Sequence, residues 1–282
     1  MPQRLEKLKK TPGNPGLRPV PFRELLAAAH GFADLAGTAV LKHFRKAPAI
    51  DNKAAEGFDP VTQADRAAEK AIARALKARF PDHALTGEEY GTVDGVSRYR
   101  WVVDPIDGTR AFIMGSPLWG TLIGLIDGDT PLLGIMDQPF TGERFWSGEK
   151  TAHMRRGANG KTTTIKTRTC PRLEDAIFTS THPGLFAAGR EQAVLARFSK
   201  SARMTRFGGD CYGYCLLAAG FIDIIIEPGL KSYDVAALIP IVERAGGIMT
   251  TWDGRPATEG GDIIACGDVR LHEVALKMLA KS

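Results

Sequence analysis

The chain has 282 residues, of which 44% are hydrophobic and 24% are charged, enough for one large domain or two abutting halves. The net charge is +5, but residues 1–20 carry +4 of it, so the remainder is nearly neutral and binding to nucleic acid is not favoured. No segment is typical of a membrane span or a secretory signal, so we expect a soluble protein without a membrane partner.

The first twenty residues are expected to form a flexible basic tail, because several lysines are followed by the turn-rich segment 12–16. The chain has four cysteines but no Cys-x-x-Cys pair, which favours reduced thiols over a disulfide or zinc framework. We therefore expect a cytoplasmic location. The four are Cys170, Cys211, Cys215 and Cys266.

Residues 21–155 are predicted to form an N-terminal α+β half. Apolar residues at helical spacing indicate one helix from Phe22 to Val40 and another over 65–80. Strands are predicted near 101–103, 119–126, 132–136 and 144–146. Because short turns join the last three, this half is predicted to be mostly antiparallel.

Residues 156–282 are predicted to form a C-terminal α/β half, since strands and helices alternate along it. The strands are expected near 177–180, 204–207, 221–226, 247–250 and 263–266. The helices are expected near 191–199, 212–219, 235–245 and 271–280. A basic tract over 155–172 precedes them, and because it lacks interleaved aromatics it is typical of a solvated loop or hairpin rather than a nucleic-acid surface.

The strand near Trp101 ends in Asp104-Pro105-Ile106-Asp107-Gly108-Thr109. Pro105 and Gly108 are expected to end the strand, which leaves Asp104 and Asp107 just beyond it. Two close carboxylates repel each other, and solvent, protonation or a divalent cation relieves that repulsion. From this segment alone, a solvated surface turn and a site for Mg²⁺, Mn²⁺ or Ca²⁺ are equally good interpretations.

Further acidic residues stand where they could join the same site. Glu88 lies in a glycine-bracketed loop just before the strand of Asp104, whereas Asp65 and Asp234 each open a helix. Thr62 and Asp65 also have the spacing of a capping box. Taken singly, Asp65 and Asp234 fit helix caps better than metal ligands.

Three segments together carry a family resemblance: Gly87-Glu88-Glu89, Asp104-Pro105-Ile106-Asp107-Gly108-Thr109 and Asp234-Val235-Ala236-Ala237. In this order they resemble the inositol monophosphatase family of metal-dependent phosphatases, from about Phe22 onward. The resemblance implies a layered α-β-α-β-α sandwich with the metals between its halves. It also implies a homodimer and two or three Mg²⁺ ions per site, with Mn²⁺ as a substitute.

The resemblance also implies roles for single residues. The implied metal ligands are Glu88, Asp104, Asp107, Asp234 and the backbone carbonyl of Ile106. The implied catalytic residues are Asp65 and Thr109, which would position or deprotonate the attacking water, together with Glu88. The implied phosphate contacts are the backbone N–H groups of Gly108 and Thr109, and Lys53 matches a basic position before the second helix.

The segments 110–123, 208–212 and 227–234 look like the histidinol-phosphate phosphatase branch of this family. Its substrate carries an ammonium group and a protonatable imidazole, which acids can face. The candidates are Glu227 and Asp210, although Asp210 fits the N-cap of the next helix equally well. Trp119 could stack on the imidazolium, but a core position suits it better.

The expected function is Mg²⁺-dependent hydrolysis of L-histidinol phosphate in histidine biosynthesis. The alternatives within the same chemistry are phosphatases for inositol phosphates, sugar phosphates or nucleotide phosphates. From another class, the chain could be a catalytically silent scaffold or a nucleic-acid-binding protein. The intact set of acidic positions disfavours that alternative.

Overall fold

The computed structural model describes residues 19–46, 50–52, 60–157 and 159–281. Residues 1–18 of the predicted tail lie outside this part of the chain, as does Lys53. The helices described are α1 (Phe22–Val40), α2 (Gln63–Arg79), α3 (Thr109–Met114), α4 (Arg190–Ser201), α5 (Asp210–Ala218), α6 (Ser232–Val235), α7 (Leu238–Arg244) and α8 (Val269–Leu279).

The strands belong to two large sheets and one hairpin. They are β1 (Ile50–Asn52), β2 (Pro60–Thr62), β3 (Ala84–Gly87), β4 (Gly91–Val93), β5 (Tyr99–Asp107), β6 (Gly120–Asp127), β7 (Thr130–Gln138), β8 (Glu143–Ser147), β9 (Ala152–Arg156), β10 (Thr162–Ile165), β11 (Ile177–Ser180), β12 (Met204–Phe207), β13 (Ile224–Lys231), β14 (Ile248–Thr251) and β15 (Gly260–Cys266). β1 and β2 form the antiparallel hairpin, directly before α2.

The first sheet has eight strands in the order β10-β9-β8-β7-β6-β5-β3-β4. Its neighbouring strands are antiparallel except for β3 and β5, which run parallel. This arrangement confirms the mostly antiparallel meander predicted for the N-terminal half.

Helices α1 and α2 cover one face of the first sheet. Their apolar stripes place Leu25, Phe32 and Ile72 in one buried cluster with Trp101 and Ile123 of the sheet. Each side chain of this size contributes roughly 1.5–3 kcal/mol when it is fully buried. The helical periodicity seen in the sequence is therefore the pattern that attaches both helices to the sheet.

The second sheet has five strands in the order β12-β11-β13-β15-β14. β11 is parallel to β12 and β13, whereas β15 is antiparallel to β13 and β14. On the outer face, Phe178 and Ile264 of the sheet cluster with Phe198 of α4 and Leu271 of α8. This half therefore has the alternating α/β character expected of it.

Helices α5 and α7 lie between the two sheets. Cys215 of α5 and Val242 of α7 share a buried cluster with Leu122 and Phe145 of the first sheet and Ile263 of the second. The layers therefore run from α1 and α2 through the first sheet, α5 and α7, and the second sheet to α4 and α8. This confirms the predicted α-β-α-β-α sandwich.

The helix expected over 235–245 is instead two helices, α6 and α7, separated at Ala236 and Ala237. Pro240 has no N–H to donate to the carbonyl of Ala236, so one uninterrupted helix would lack that bond. The connection also lies against the first sheet, where a Cβ on Gly134 would fall 1.9 Å from the carbonyl oxygen of Ala237. The break between the helices thus allows the backbone at Ala237 to pack directly against the backbone at Gly134.

The basic tract includes β10, which pairs with β9 as an antiparallel hairpin at the edge of the first sheet. The first sheet therefore extends to Ile165, beyond the predicted boundary between residues 155 and 156. The division into two halves stays a prediction. Within the described ranges, no helix combines the length and apolar character that crossing a membrane requires.

Two predictions about single residue types are confirmed. The four cysteines are free and buried. Trp119 is completely buried and packs against Phe44 and Phe112, with ring centroids 5.2 and 5.1 Å away. It is a core residue, so stacking on a substrate ring is excluded.

Candidate active site

Asp104 and Asp107 lie within the last part of β5, not beyond it. The strand continues through Pro105 because the register with β6 shifts between Asp104 and Asp107, which leaves the two residues between them unpaired in the ladder. The backbone N–H of Ile106 donates to Oδ1 of Asp104 across 3.0 Å. The expectation that the strand ends before these acids was wrong, because a bulge accommodates the proline.

Gly108 converts the end of β5 into the start of α3. Its φ of +88° favours glycine, and it occupies the N-cap position of the helix that begins at Thr109. The Thr109 hydroxyl donates to the carbonyl of Ile106 across 3.1 Å. A short helix therefore begins directly after the two acids, and it was not among the helices predicted from the sequence.

Asp234 approaches from the second sheet. It is the third residue of α6, and its Oδ2 accepts the backbone N–H of Lys231 across 2.6 Å, so the predicted helix-cap interaction is present. One carboxylate oxygen each of Asp104, Asp107 and Asp234 lie within 4.8 Å of one another. Asp234 therefore accepts the capping hydrogen bond and also belongs to the acidic cluster.

Glu88 joins this cluster from the turn after β3. Its backbone N–H donates to the carbonyl of Val103 across 3.2 Å, which fixes the turn beside β5. Its carboxylate is close enough to Asp104 to raise the pKa of that residue. The structure thus brings together the four acids that the resemblance implies as metal ligands.

The electrostatics of the cluster favour a bound cation. Burial raises the pKa of Asp104 and Asp107 well above the ordinary value, and repulsion from neighbouring carboxylates raises both further. Burial also raises the pKa of Asp234 to about 7. A divalent cation would relieve this repulsion, and a donor set made of carboxylate oxygens suits a hard ion such as Mg²⁺.

Asp65 is almost fully buried next to the cluster. Its Oδ2 accepts both the backbone N–H and the hydroxyl of Thr62, at 2.8 and 2.6 Å, so the predicted capping box is confirmed. Among the residues that the structure describes, its buried Oδ1 has no hydrogen-bond partner. Burial raises the pKa of Asp65 to about 6, and the nearby charges of Glu89 and Glu88 contribute to the rise.

Asp210 begins α5 but does not cap it. Gly209 occupies the N-cap position, and Asp210 is the first residue of the helix. Its backbone has a φ of +45°, a strained conformation for a residue other than glycine. A Cβ on Gly108 would lie 3.1 Å from the Asp210 Cγ, so this carboxylate is directly beside the start of α3.

Glu227 is buried at the bulge of β13. The strand predicted near 221–226 instead begins at Ile224 and continues to Lys231, so Glu227 lies within β13. Glu227 accepts the backbone N–H of Thr181 across 2.5 Å and the hydroxyl of Tyr214 across 2.9 Å. Burial raises its pKa, whereas these hydrogen bonds lower it.

Asp210 and Glu227 line one cleft with Asp107 and Asp234. The cleft has a volume of about 150 Å³. Burial raises the pKa of Asp210 to about 7, repulsion from Glu227 adds to the rise, and Arg110 opposes it. The cleft thus joins the acidic cluster to a second acidic region.

Residues that hold these acids in place were not predicted from the sequence. Thr181 and Tyr214 bind Glu227, and Glu69 binds the turn that carries Glu88. For Glu69 a signal was available, because an acid stands four residues after Asp65 on the apolar face of α2. For Tyr214 no local pattern distinguishes a core aromatic from a hydrogen-bond donor.

Carboxylates grouped between two sheets, beside a cleft with further acids, are typical of a metal-dependent hydrolase. Residues 22–282 match the sequence model of the inositol monophosphatase family. The chain belongs to this family, and it is a metal-dependent phosphatase.

Individual relatives agree with this assignment. The chain is 40% identical to the bifunctional phosphatase IMPL2 of Arabidopsis thaliana over 264 residues, which are 90% of this chain and 74% of that protein. It is 35% identical to the histidinol-phosphatase of Streptomyces coelicolor over 261 residues, covering 90% and 96% of the two chains. A solved inositol monophosphatase from Zymomonas mobilis is 40% identical, with a TM-score of 0.81 over 93% of this chain and 100% of that one.

Proposed function

We propose that the protein is a Mg²⁺-dependent histidinol-phosphate phosphatase, which converts L-histidinol phosphate and water to L-histidinol and phosphate. The observation that carries this proposal is the shared cleft of Asp107, Asp234, Asp210 and Glu227. An ester bound with its phosphate at the first pair would place its leaving group beside the second pair. A cationic leaving group suits such an environment better than a neutral polyol does.

Similarity to histidinol-phosphatases supports the same substrate. The Streptomyces coelicolor enzyme aligns over nearly its whole length, so the similarity includes both halves of the sandwich. The Arabidopsis thaliana relative is named a bifunctional phosphatase. That name keeps inositol 1-phosphate as a second candidate substrate to be measured.

We propose that the metal is Mg²⁺, with two or three ions per site and Mn²⁺ as a substitute. The ligands would be the carboxylates of Glu88, Asp104, Asp107 and Asp234 and the backbone carbonyl of Ile106. When bound, such ions neutralise phosphate charge and lower the pKa of a coordinated water. The raised pKa values reflect the free-energy cost of ionising these close carboxylates without a metal. Cation binding would offset that cost.

The remaining roles belong to the chain's own groups. Asp65 has a buried oxygen with no partner in the described part of the chain, as a residue that accepts the proton of the attacking water requires. The Thr109 hydroxyl, held by the carbonyl of Ile106, would orient that water. The backbone N–H groups of Gly108 and Thr109 would bind the phosphate at the start of α3. Lys53 stays a prediction.

Asp210 and Glu227 would face the ammonium and imidazole groups of the substrate. Tyr214 and Thr181 already donate to Glu227, so its carboxylate is held in one orientation and is pre-organised for a cation. Homodimer formation, a cytoplasmic location and a role in histidine biosynthesis belong to the same proposal and stay predictions.

The test compares kcat/KM for two substrates that differ in one charge, L-histidinol phosphate and its N-acetylated derivative. The proposal predicts that kcat/KM falls by about 100-fold on acetylation, which corresponds to roughly 2.7 kcal/mol of lost transition-state binding. Both esters should require Mg²⁺. Equal kcat/KM values for the two would contradict recognition of the ammonium group.

A further inference from the structure

Glu69 is a buried acid of α2 whose carboxylate binds the backbone of a neighbouring turn. Its Oε2 accepts the backbone N–H of Glu89 across 2.8 Å, and its Oε1 accepts the backbone N–H of Tyr90 across 3.0 Å. It is 1% exposed. The side chain therefore joins helix α2 to the turn that follows β3.

The turn bound by Glu69 is the one that carries Glu88. The backbone N–H of Glu88 donates to Val103, and the next two N–H groups along the chain donate to Glu69. Three consecutive backbone N–H groups are thus fixed from two sides. This arrangement fixes the direction in which the Glu88 side chain leaves the backbone.

Close packing at Gly87 supports the same arrangement. A Cβ at this position would lie 1.9 Å from Oε1 and 2.3 Å from Cδ of Glu69. The end of β3 therefore approaches the Glu69 carboxylate so closely that only a glycine fits without displacement. The space around Glu69 is shaped for its carboxylate.

Keeping an acid at this position is unfavourable in itself. Burial raises the pKa of Glu69, and the charges of Glu89 and Glu88 raise it further, whereas the two N–H hydrogen bonds lower it. An apolar side chain would avoid that cost but would leave the N–H groups of Glu89 and Tyr90 without this acceptor. The Glu69 carboxylate fixes the turn because it accepts both of these N–H groups.

We propose that Glu69 is a positioning residue of the metal site, which holds the Glu88 turn in the orientation that metal binding requires. The inference rests on the proposed role of Glu88 as a metal ligand. Glu69 touches neither metal nor substrate and acts through the backbone of the neighbouring turn. Groups that orient metal ligands in this way typically change metal affinity 10- to 100-fold when they are removed.

The test uses the full chain carrying Glu69→Gln, a change that keeps the volume but replaces one acceptor oxygen with a donor. Calorimetric titration of the metal-free protein with Mg²⁺ should show affinity weakened by about 10- to 100-fold. The Mg²⁺ concentration for half-maximal hydrolysis of 4-nitrophenyl phosphate should rise by the same factor. The kcat at saturating Mg²⁺ should stay within about threefold of the parent, because the ligands themselves remain.

Asp137→Asn is the matched control, since Asp137 is a buried acid of β7 that binds Arg144. It should lower the unfolding temperature without changing Mg²⁺ affinity. If Glu69→Gln does the same, the inference is overturned. Gly87→Ala, which displaces the same carboxylate from the opposite side, should weaken Mg²⁺ binding as Glu69→Gln does, and unchanged affinity in that variant would also contradict the inference.

Glu88→Gln separates this inference from the proposal on which it rests. If Glu88→Gln leaves Mg²⁺ affinity unchanged, Glu88 is not a ligand and both ideas fail. If Glu88→Gln weakens binding and Glu69→Gln does not, only the positioning role fails. Weaker binding in both variants supports both.

Discussion

The hydroxyl of Tyr214 donates a hydrogen bond to Glu227 across 2.9 Å, inside the layer between the two sheets. Both side chains are at most 3% exposed. A buried carboxylate that keeps a donor on each side stays oriented and is more easily ionised than one without donors. This pair therefore links the packing of α5 to the proposed recognition of a cationic leaving group.

Glu227→Gln should raise KM for L-histidinol phosphate by about 10- to 100-fold, because the substrate loses a charged partner. KM for 4-nitrophenyl phosphate should change by less than about threefold, since that ester has no cation. Steady-state kinetics on both esters checks this. Tyr214→Phe should shift KM in the same direction by a smaller factor, and equal effects on both esters would show that Glu227 is structural.

Asp104→Asn should abolish turnover through weakened metal binding, with kcat/KM at a fixed Mg²⁺ concentration lower by at least about 1000-fold. The buried carboxylate is the member of the cluster that Glu88 also contacts, so its loss removes charge at the centre. Phosphate release measured against Mg²⁺ concentration checks this. An unchanged Mg²⁺ dependence in the variant would contradict the proposed ligand set.

Gly108→Ala should destabilise the metal-free protein by about 1–3 kcal/mol, because φ is +88° and the new Cβ would lie 3.0 Å from the carbonyl of Leu118. It should also displace Asp210 and raise KM for L-histidinol phosphate. Gly128→Ala is the matched control, since φ there is +62° and nothing lies within 4 Å of the added Cβ. Urea unfolding and kinetics of both variants separate backbone strain from displacement of Asp210.

If Gly128→Ala and Gly108→Ala lose the same stability and leave KM unchanged, the contact between Gly108 and Asp210 has no functional consequence. A raised KM in Gly108→Ala alone supports the proposed role of Asp210.

Asp65 gives a pH prediction for the metal-free protein. Its pKa is raised from 3.8 to about 6, so the folded chain holds this proton over a range in which the unfolded chain has lost it. Folding is therefore opposed by this group as the pH rises from about 4 through 6. Asp65→Asn should gain stability over the parent through this window, by about 3 kcal/mol at most.

The buried histidines His30 and His83 have pKa values lowered to about 4 and affect stability with the opposite sign. Because both histidines are present in the parent and in the variant, the difference in stability between the two proteins isolates Asp65. Urea unfolding in EDTA at about pH 4.5 and about pH 7.5 measures the difference. A difference that is independent of pH would show that Asp65 titrates normally. With Mg²⁺ present, the same variant should lose most of its turnover.

The acids of the site were predictable because they stand in short local segments. Asp104, Asp107 and Asp234 occur at strand or helix ends that turn residues and apolar periodicity mark in the sequence. The same periodicity predicted α1 and α2 and the strands of the meander. The layered fold followed from the family resemblance, and the three buried clusters show its physical basis.

The supporting contacts were not predictable, because they join residues that are far apart in the sequence. Glu69 binds N–H groups 20 and 21 residues away, and Glu227 binds Thr181 across 46 residues. The bulge at Pro105 likewise depends on pairing with β6, which no local rule specifies. These pairings exist only once the two sheets and the helices between them are assembled.

The measurement that tests the central claim most directly is phosphate release with Mg²⁺ from L-histidinol phosphate and myo-inositol 1-phosphate, side by side, with an EDTA control. We expect kcat/KM to be higher for L-histidinol phosphate by about 100-fold or more, and EDTA to abolish both activities. Faster hydrolysis of myo-inositol 1-phosphate would contradict the proposed substrate and the roles of Asp210 and Glu227.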